Sequence, residues 1–314
     1  MTGGAGFIGS HLCHALINRG FYVRCYDDLS YGSKDNIKQI QGSDFEFFHN
    51  DVCDIDSVDK ASDGVSIVFH LAARKIPRYG GALETLKVNN DGTRNIYESA
   101  AIHKCKVILA STSDVYGKGT PPFKESDDLL IGRSDSRRWS YAVSKAFDEH
   151  LALAYHTEQN VDTVVLRFFG SYGPRHHRSW WGGPQSVFID QVLNNEKISI
   201  HGDGKQTRSF TYIDDLIAGI IASAETDKAN GQIINLGSDQ EISIIDLAST
   251  INELIRPGEE PKIELIPYEN FGGNYEDVRR RIPDLSKAGE LLGFGWSISL
   301  KEGLKKTIEW HRQS

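Results

Sequence analysis

Short apolar runs rich in β-branched and aromatic residues recur through the first half of the chain: Tyr22–Tyr26, Phe45–Phe48, Ser66–Leu71, Val107–Ala110 and Thr163–Phe168. Polar or glycine-containing turns bound each run, and none alternates cleanly with period two, as expected of strands covered on both faces. Between them, Gly9–Arg19, Gly81–Ala101 and Ser140–Gln159 carry apolar residues at helical spacing. Strand–helix–strand repetition predicts an α/β fold with a doubly wound parallel sheet, whose ligands bind beyond the carboxyl ends of the strands. From about Tyr172 the pattern loosens. The stretch 173–184 is turn-rich and carries aromatics and cations, Ile233–Leu236 reads as one more strand, and helices over Ile244–Ile255 and Leu300–Trp310 close the chain. A smaller carboxyl-terminal lobe, with the ligand cleft between the lobes, is the expected arrangement.

Composition narrows the function class. Of 314 residues, 39% are hydrophobic and 25% charged, ordinary values for a globular protein. The net charge of −8 speaks against a nucleic-acid binder. Apolar runs fall far short of the roughly 20 residues of a membrane helix. No basic-then-apolar leader is visible, so a cytoplasmic protein without membrane partners is expected. Cys13, Cys25, Cys53 and Cys105 show no metal-ligand spacing and read as buried, reduced thiols, so no metal is expected.

Three segments carry candidate chemistry. Glycines at 3, 6 and 9 open a helix, a spacing that allows a tight turn and close approach of the backbone to a pyrophosphate. Asp27 ends the next strand, where a carboxylate holds ribose hydroxyls and repels a 2′-phosphate; the alternative is an acid that caps its own loop. Tyr141 and Lys145 lie one helical turn apart, so an ammonium beside a phenol would favour the phenolate. As an isolated pattern the two are a surface pair. Ser111–Gly117 follows a strand directly and presents hydroxyls at its carboxyl end, or serves only as a turn. The glycine motif begins at Gly3, leaving Met1-Thr2 for the strand that should precede it; further upstream residues in the native gene product are expected.

Taken in order, the glycine motif, Asp51-Val52, Leu71-Ala72-Ala73, Asn89 before Gly92-Thr93, Ser111–Gly117, Tyr141/Lys145, Arg167–Arg175, Gly202–Asp215 and Asp277–Asp284 resemble one family. It is the extended short-chain dehydrogenase/reductases, in their NAD-dependent epimerase/dehydratase branch, which acts on nucleotide sugars. The resemblance implies a Rossmann domain over 1–173 and 209–238 and a nucleotide-sugar lobe over 174–208 and 239–314. It implies NAD held by Gly3, Gly6, Phe7, Ile8, Gly9, Asp27, Asp51, Val52, Leu71, Ala72, Ala73, Asn89 and Phe168, with Lys145 on the nicotinamide ribose. Thr112 would hold the sugar 4-hydroxyl, Tyr141 would be the base, Arg208 would clamp the diphosphate, and Arg175 and Phe188 would be further substrate contacts. A homodimer joined through the Gly81–Ala101 and Ser140–Gln159 helices is also implied.

The branch oxidises C4 and then epimerises, dehydrates or decarboxylates. Dehydratases place Asp-Glu after the threonine; here Ser113-Asp114 stands instead. Thr112–Gly117 resembles the Thr-Ser-Glu-Val-Tyr-Gly of UDP-glucuronate decarboxylases, and Arg138–Lys145 and Tyr275–Pro283 resemble the same group, implying that Asp114 and Arg281 act at the carboxylate, with Ser113 also in the catalytic set. UDP-glucuronate decarboxylation is thus the favoured reading. The alternatives are a UDP-sugar 4-epimerase and a non-catalytic NAD-binding regulator. Two departures stand out: Gly170 replaces the family's usual Asn, and the insertion His176–Gly183 has no counterpart.

Overall fold

A computed structural model describes residues 1–40, 42–75, 81–271 and 276–313. Thirteen strands and nine α-helices are seen among them. Strands β1 (Val23–Tyr26), β2 (Phe45–Phe48), β3 (Ile67–His70), β4 (Lys106–Thr112) and β5 (Thr163–Phe168) fall where the apolar runs predict. The short β6 (Ser171–Tyr172), β7 (Ile198–His201), β8 (Thr207–Ser209) and β9 (Thr211–Tyr212) precede β10 (Gln232–Leu236), and β11 (Glu241–Ser243), β12 (Ile263–Ile266) and β13 (Arg280–Arg281) follow it. Met1–Thr2 occupy the strand position between β1 and β3, Thr2 bridging both Tyr26 and His70 in parallel. The main sheet therefore runs β2-β1-(1–2)-β3-β4-β5-β10, all parallel, and its order reverses at Thr2, beside the glycine turn.

Helices α1 (Phe7–Asn18), α2 (Ile55–Ser62), α3 (Ala82–His103) and α4 (Trp139–Gln159) lie in the first half; α2 is capped by Asp54, which accepts from Ser57 N–H at 3.3 Å. Then come α5 (Pro184–Leu193), α6 (Ile213–Glu225), α7 (Ile244–Ile255), α8 (Ser286–Leu292) and α9 (Leu300–Gln313). Helices α2, α5, α6 and α8 are not among those that the sequence periodicity predicts. Gly182-Gly183-Pro184 looks like a turn, yet Pro184 is the first residue of α5, the helical position where its missing N–H costs nothing.

Two apolar cores confirm that both sheet faces are covered. Leu12, Leu16, Leu216 and Ile220 from α1 and α6 meet Ile108, Val164 and Leu166 on one face. Val58, Ile96, Tyr97 and Ala152 from α2, α3 and α4 meet Val68, Val107, Leu109 and Val165 on the other. Beyond the sheet, β11-β8-β13 and β12-β7 build the second region, and the register pairs Arg281 with Arg208. Of the cysteines, Cys13, Cys25 and Cys105 are buried and free, whereas Cys53 is only half-buried, a correction that follows from its place in the polar turn before α2.

Candidate functional site

A cleft of about 670 Å³ opens at the carboxyl ends of β1, β3, β4 and β5. At one end stands the glycine turn. Gly3 has φ +64°, and a Cβ there would lie 2.8 Å from Ala72 N; a Cβ on Gly9 would lie 2.1 Å from Gly3 O. Only glycines bring backbone and helix this close, leaving the start of α1 open to a phosphate. Asp27 lies at the end of β1, placed so that either role weighed for it is open. It lines the cleft, and its carboxylate also accepts Ala5 N–H and Leu29 N–H at 2.9 and 2.8 Å. Burial raises its pKa against those two hydrogen bonds. Gly6, Phe7, Ile8, Asp51, Val52, Leu71, Ala72, Ala73 and Phe168 line the same cleft. The bare glycine turn and the carboxylate at the strand end fit NAD, and a carboxylate there disfavours a 2′-phosphate.

Three of the expected contact residues have other surroundings in the fold. Asn89 is buried and does not line the cleft: it donates to Ser144 Oγ at 2.9 Å and accepts Arg74 N–H at 2.7 Å, tying the loop after β3 to α4. Phe188 is wholly buried in α5, edge-on to Trp180, because the helix that begins at Pro184 turns it into the core. Arg175 does line the cleft, but beside α1, donating to Asn36 O at 3.1 Å and reaching His11 at 3.3 Å, near the glycine turn rather than beside Arg208.

The candidate reacting groups converge from α4, β4 and the second region. Thr112 ends β4 and caps the following 3₁₀ turn by accepting Asp114 N–H at 3.2 Å. The Thr112 hydroxyl also lies beside the Tyr141 phenol. Burial and the carboxylates of Asp114 and Asp148 raise the Tyr141 pKa, while Thr112 and Arg281 oppose them. Lys145 Nζ donates to Asp148 at 3.1 Å within the protein.

Beside Tyr141 lies a charge cluster. Asp114 accepts from Arg281 Nη1 and lies 3.5 Å from Arg138 Nη2; Arg138 and Arg208 both reach Asp277, at 3.4 and 2.9 Å. Burial alone would raise the Asp114 pKa, but Arg281, Arg138 and Arg208 outweigh it and hold it below the ordinary carboxylate range. Arg208 is pushed down to about 10, chiefly by burial. Of the run Arg279–Arg281, the first two are engaged outside, Arg279 with Asp203 and Arg280 with Glu241, and only Arg281 faces the cleft. Tyr275 lies outside the described residues.

Sequence reasoning assigned no role to Arg138 or Asp277. The signal was present: Arg138 stands one turn before Tyr141, and Asp277 two residues before Arg279. The unmatched insertion also comes into the site. His176 stacks on Phe7 (centroids 4.1 Å) and Trp181 on Tyr31 (4.4 Å), with the Arg74 guanidinium 5.1 Å from the Tyr31 ring. Gly170 is explained by crowding: a Cβ there would lie 2.9 Å from both Phe210 Cδ1 and Ser209 O. No His, Cys, Asp or Glu group among the described residues is placed to hold a metal ion, and no described helix is long and apolar enough to cross a membrane.

Comparison with known proteins agrees with this geometry. A UDP-N-acetyl-alpha-D-glucosaminuronate decarboxylase from Bacillus cytotoxicus is 39% identical over 316 residues, covering 100% of this chain and 97% of the relative. UDP-glucuronic acid decarboxylase 1 from Xenopus tropicalis is 34% identical, covering 100% of this chain and 72% of the relative. Among solved structures, a UDP-glucuronic acid 4-epimerase from Bacillus cereus, determined with UDP-glucuronic acid and NAD, superposes with a TM-score of 0.88 at 33% identity, covering 99% of this chain and 98% of that one. Residues 1–237 match the family itself. With a glycine turn shaped for a dinucleotide, a Tyr–Lys pair lining the same cleft and relatives along its whole length, the chain belongs to the NAD dependent epimerase/dehydratase family.

Proposed function

We propose that the protein decarboxylates a UDP-hexuronate, UDP-glucuronate or its 2-acetamido counterpart, through a 4-keto intermediate. One observation carries this reading: three guanidiniums, Arg138, Arg208 and Arg281, gather around the carboxylates of Asp114 and Asp277 among the described residues, next to Thr112 and Tyr141 in the cleft. A cluster of guanidiniums lining the cleft suits a substrate carrying both a diphosphate and a C5 carboxylate.

When bound, NAD supplies a reversible hydride acceptor for C4. Thr112 orients the sugar 4-hydroxyl and Tyr141 removes its proton, the Lys145 ammonium favouring the phenolate. Oxidation at C4 turns the carboxylate into a β-keto acid. The carbon–carbon bond then breaks, its electrons passing to the C4 oxygen as carbon dioxide leaves. Tyr141, now protonated, and Thr112 stabilise the resulting enolate. Arg281 transfers its hydrogen bond from Asp114 to the substrate carboxylate and holds it out of the sugar plane. A proton is taken up at C5, and Tyr141 returns its own to the C4 oxygen as the ketone is reduced. The products are a UDP-pentose and carbon dioxide, with no net oxidation.

The division into a nucleotide domain (1–173 and 209–238) and a sugar lobe (174–208 and 239–314) belongs to this reading. So do a cytoplasmic location and a homodimer built on α3 and α4. Exposed apolar residues support the dimer: Leu83 on α3, and Val143 and Phe147 one turn apart on α4.

The test is to incubate the protein with NAD and each of the two UDP-hexuronates and follow product mass. Loss of carbon dioxide supports the proposal. An unchanged mass with inverted C4 supports the second reading, 4-epimerisation, which the likeness to the Bacillus cereus epimerase favours.

A further inference from the structure

Asp148 lies three residues beyond Lys145 on α4 and is completely buried. Its Oδ2 accepts from Lys145 Nζ at 3.1 Å. Behind it runs a line of buried polar groups: Thr93 of α3 lies beside the Asp148 carboxyl, His70 Nε2 lies 3.1 Å from Thr93 Oγ1, and His70 Nδ1 lies 2.8 Å from Thr2 Oγ1. The neighbouring Glu149 is fully committed elsewhere, to Arg167 through two hydrogen bonds and to Ser111 Oγ. Asp148 thus answers to one cation, the one proposed above to favour the Tyr141 phenolate.

Building on the proposed role of Tyr141 and Lys145, we propose that Asp148 is a positioning residue that sets the pH range in which Tyr141 is a base. As a carboxylate it offsets the Lys145 charge; as a neutral acid it leaves that charge to act on Tyr141 alone. The groups facing it are Lys145, Tyr141 and Glu149 from α4, Thr93 and Tyr97 from α3, and His70 from β3. Burial lifts Asp148 to about 6, with Lys145 opposing. Its proton therefore arrives within the working range of an enzyme. As pH falls through that value, the uncancelled Lys145 charge resists protonation of the Tyr141 phenolate. The buried, neutral His70 adds no charge of its own, since burial pushes it down to about 3.

The experiment titrates the NAD-loaded, full-length protein by ultraviolet difference absorbance of phenolate. The Tyr141→Phe signal is subtracted to isolate Tyr141, and the subtraction is repeated in an Asp148→Asn background. The Tyr141 midpoint is expected to fall by about one pH unit in Asp148→Asn, the size of removing one charge several ångströms away. Asp148→Glu is expected to keep the wild-type midpoint. Unchanged midpoints in Asp148→Asn would overturn the proposal. If that variant does not fold, Asp148→Ser makes the same comparison. A midpoint that moves without turnover of either UDP-hexuronate supports Asp148 and sinks the proposed reaction. Turnover with an unmoved midpoint does the reverse.

Discussion

Asp114 and Arg281 stand 167 positions apart, yet their side chains share a hydrogen bond at the floor of the cleft. The pairing arises because β13 lies parallel to β8 and brings Arg281 beside Arg208, facing the turn that ends β4. In the proposed reaction, a guanidinium already satisfied by a protein carboxylate is held in place for an incoming one.

Replacing that guanidinium should separate the two halves of the reaction. Arg281→Ala is expected to lower decarboxylation by about 10²-fold or more, as loss of a charge-assisted contact made at the reacting group does. Oxidation at C4 should persist, seen as reduced-nicotinamide absorbance and a 4-keto product of unchanged carbon count. Equal loss of both steps would show that Arg281 serves binding instead.

The insertion at His176–Gly183 should hold the cofactor. Trp181→Ala removes one half of the Tyr31–Trp181 stack, and aromatic pairs contribute about 1 kcal/mol beyond burial. NAD affinity is expected to fall about fivefold in isothermal titration, with turnover at saturating NAD little changed.

Acid should weaken the fold through His70. Its folded pKa, about 3, lies below the ordinary 6.5, so between these values the unfolded chain binds a proton that the native one does not. Stability attributable to this residue is complete above pH 6.5 and is lost as pH falls, at up to about 1.4 kcal/mol per unit. Urea denaturation at pH 6.5 and 4.5 should show the wild type losing about 2–3 kcal/mol more than His70→Gln.

Arg167 and Glu149 form a buried bidentate pair beneath the reacting strand, with the Arg167 guanidinium 4.6 Å from the Tyr116 ring. Arg167→Met strands the Glu149 charge, and a cost of about 3–5 kcal/mol is expected in chemical denaturation. A loss below 1 kcal/mol would mean that Glu149 takes up a proton or another partner.

Phe147→Glu places a charge on the exposed face of α4, where the proposed dimer would bury it. Sedimentation velocity should then report a monomer where the wild type sediments as a dimer. A wild type that sediments as a monomer overturns the dimer itself.

Local chemistry makes much of this protein legible in its sequence. The glycine turn, the strand ends and the Tyr141–Lys145 spacing depend on backbone conformation and helical period, properties that neighbouring residues determine by themselves. The α/β order and the NAD cleft follow from these. What stays hidden involves residues brought together from distant segments. Asn89 and Phe188 sit in positions that look functional along the chain, and only packing shows that one props Arg74 and Ser144 while the other fills the core. Helix α6 has an apolar stripe, but it falls in the region where turns and short strands obscure the periodicity. The meeting of Arg138, Arg208 and Arg281 with Asp114 and Asp277 is decided by tertiary structure alone, because a charge cluster depends on distances in space and sequence spacing records only distances along the chain.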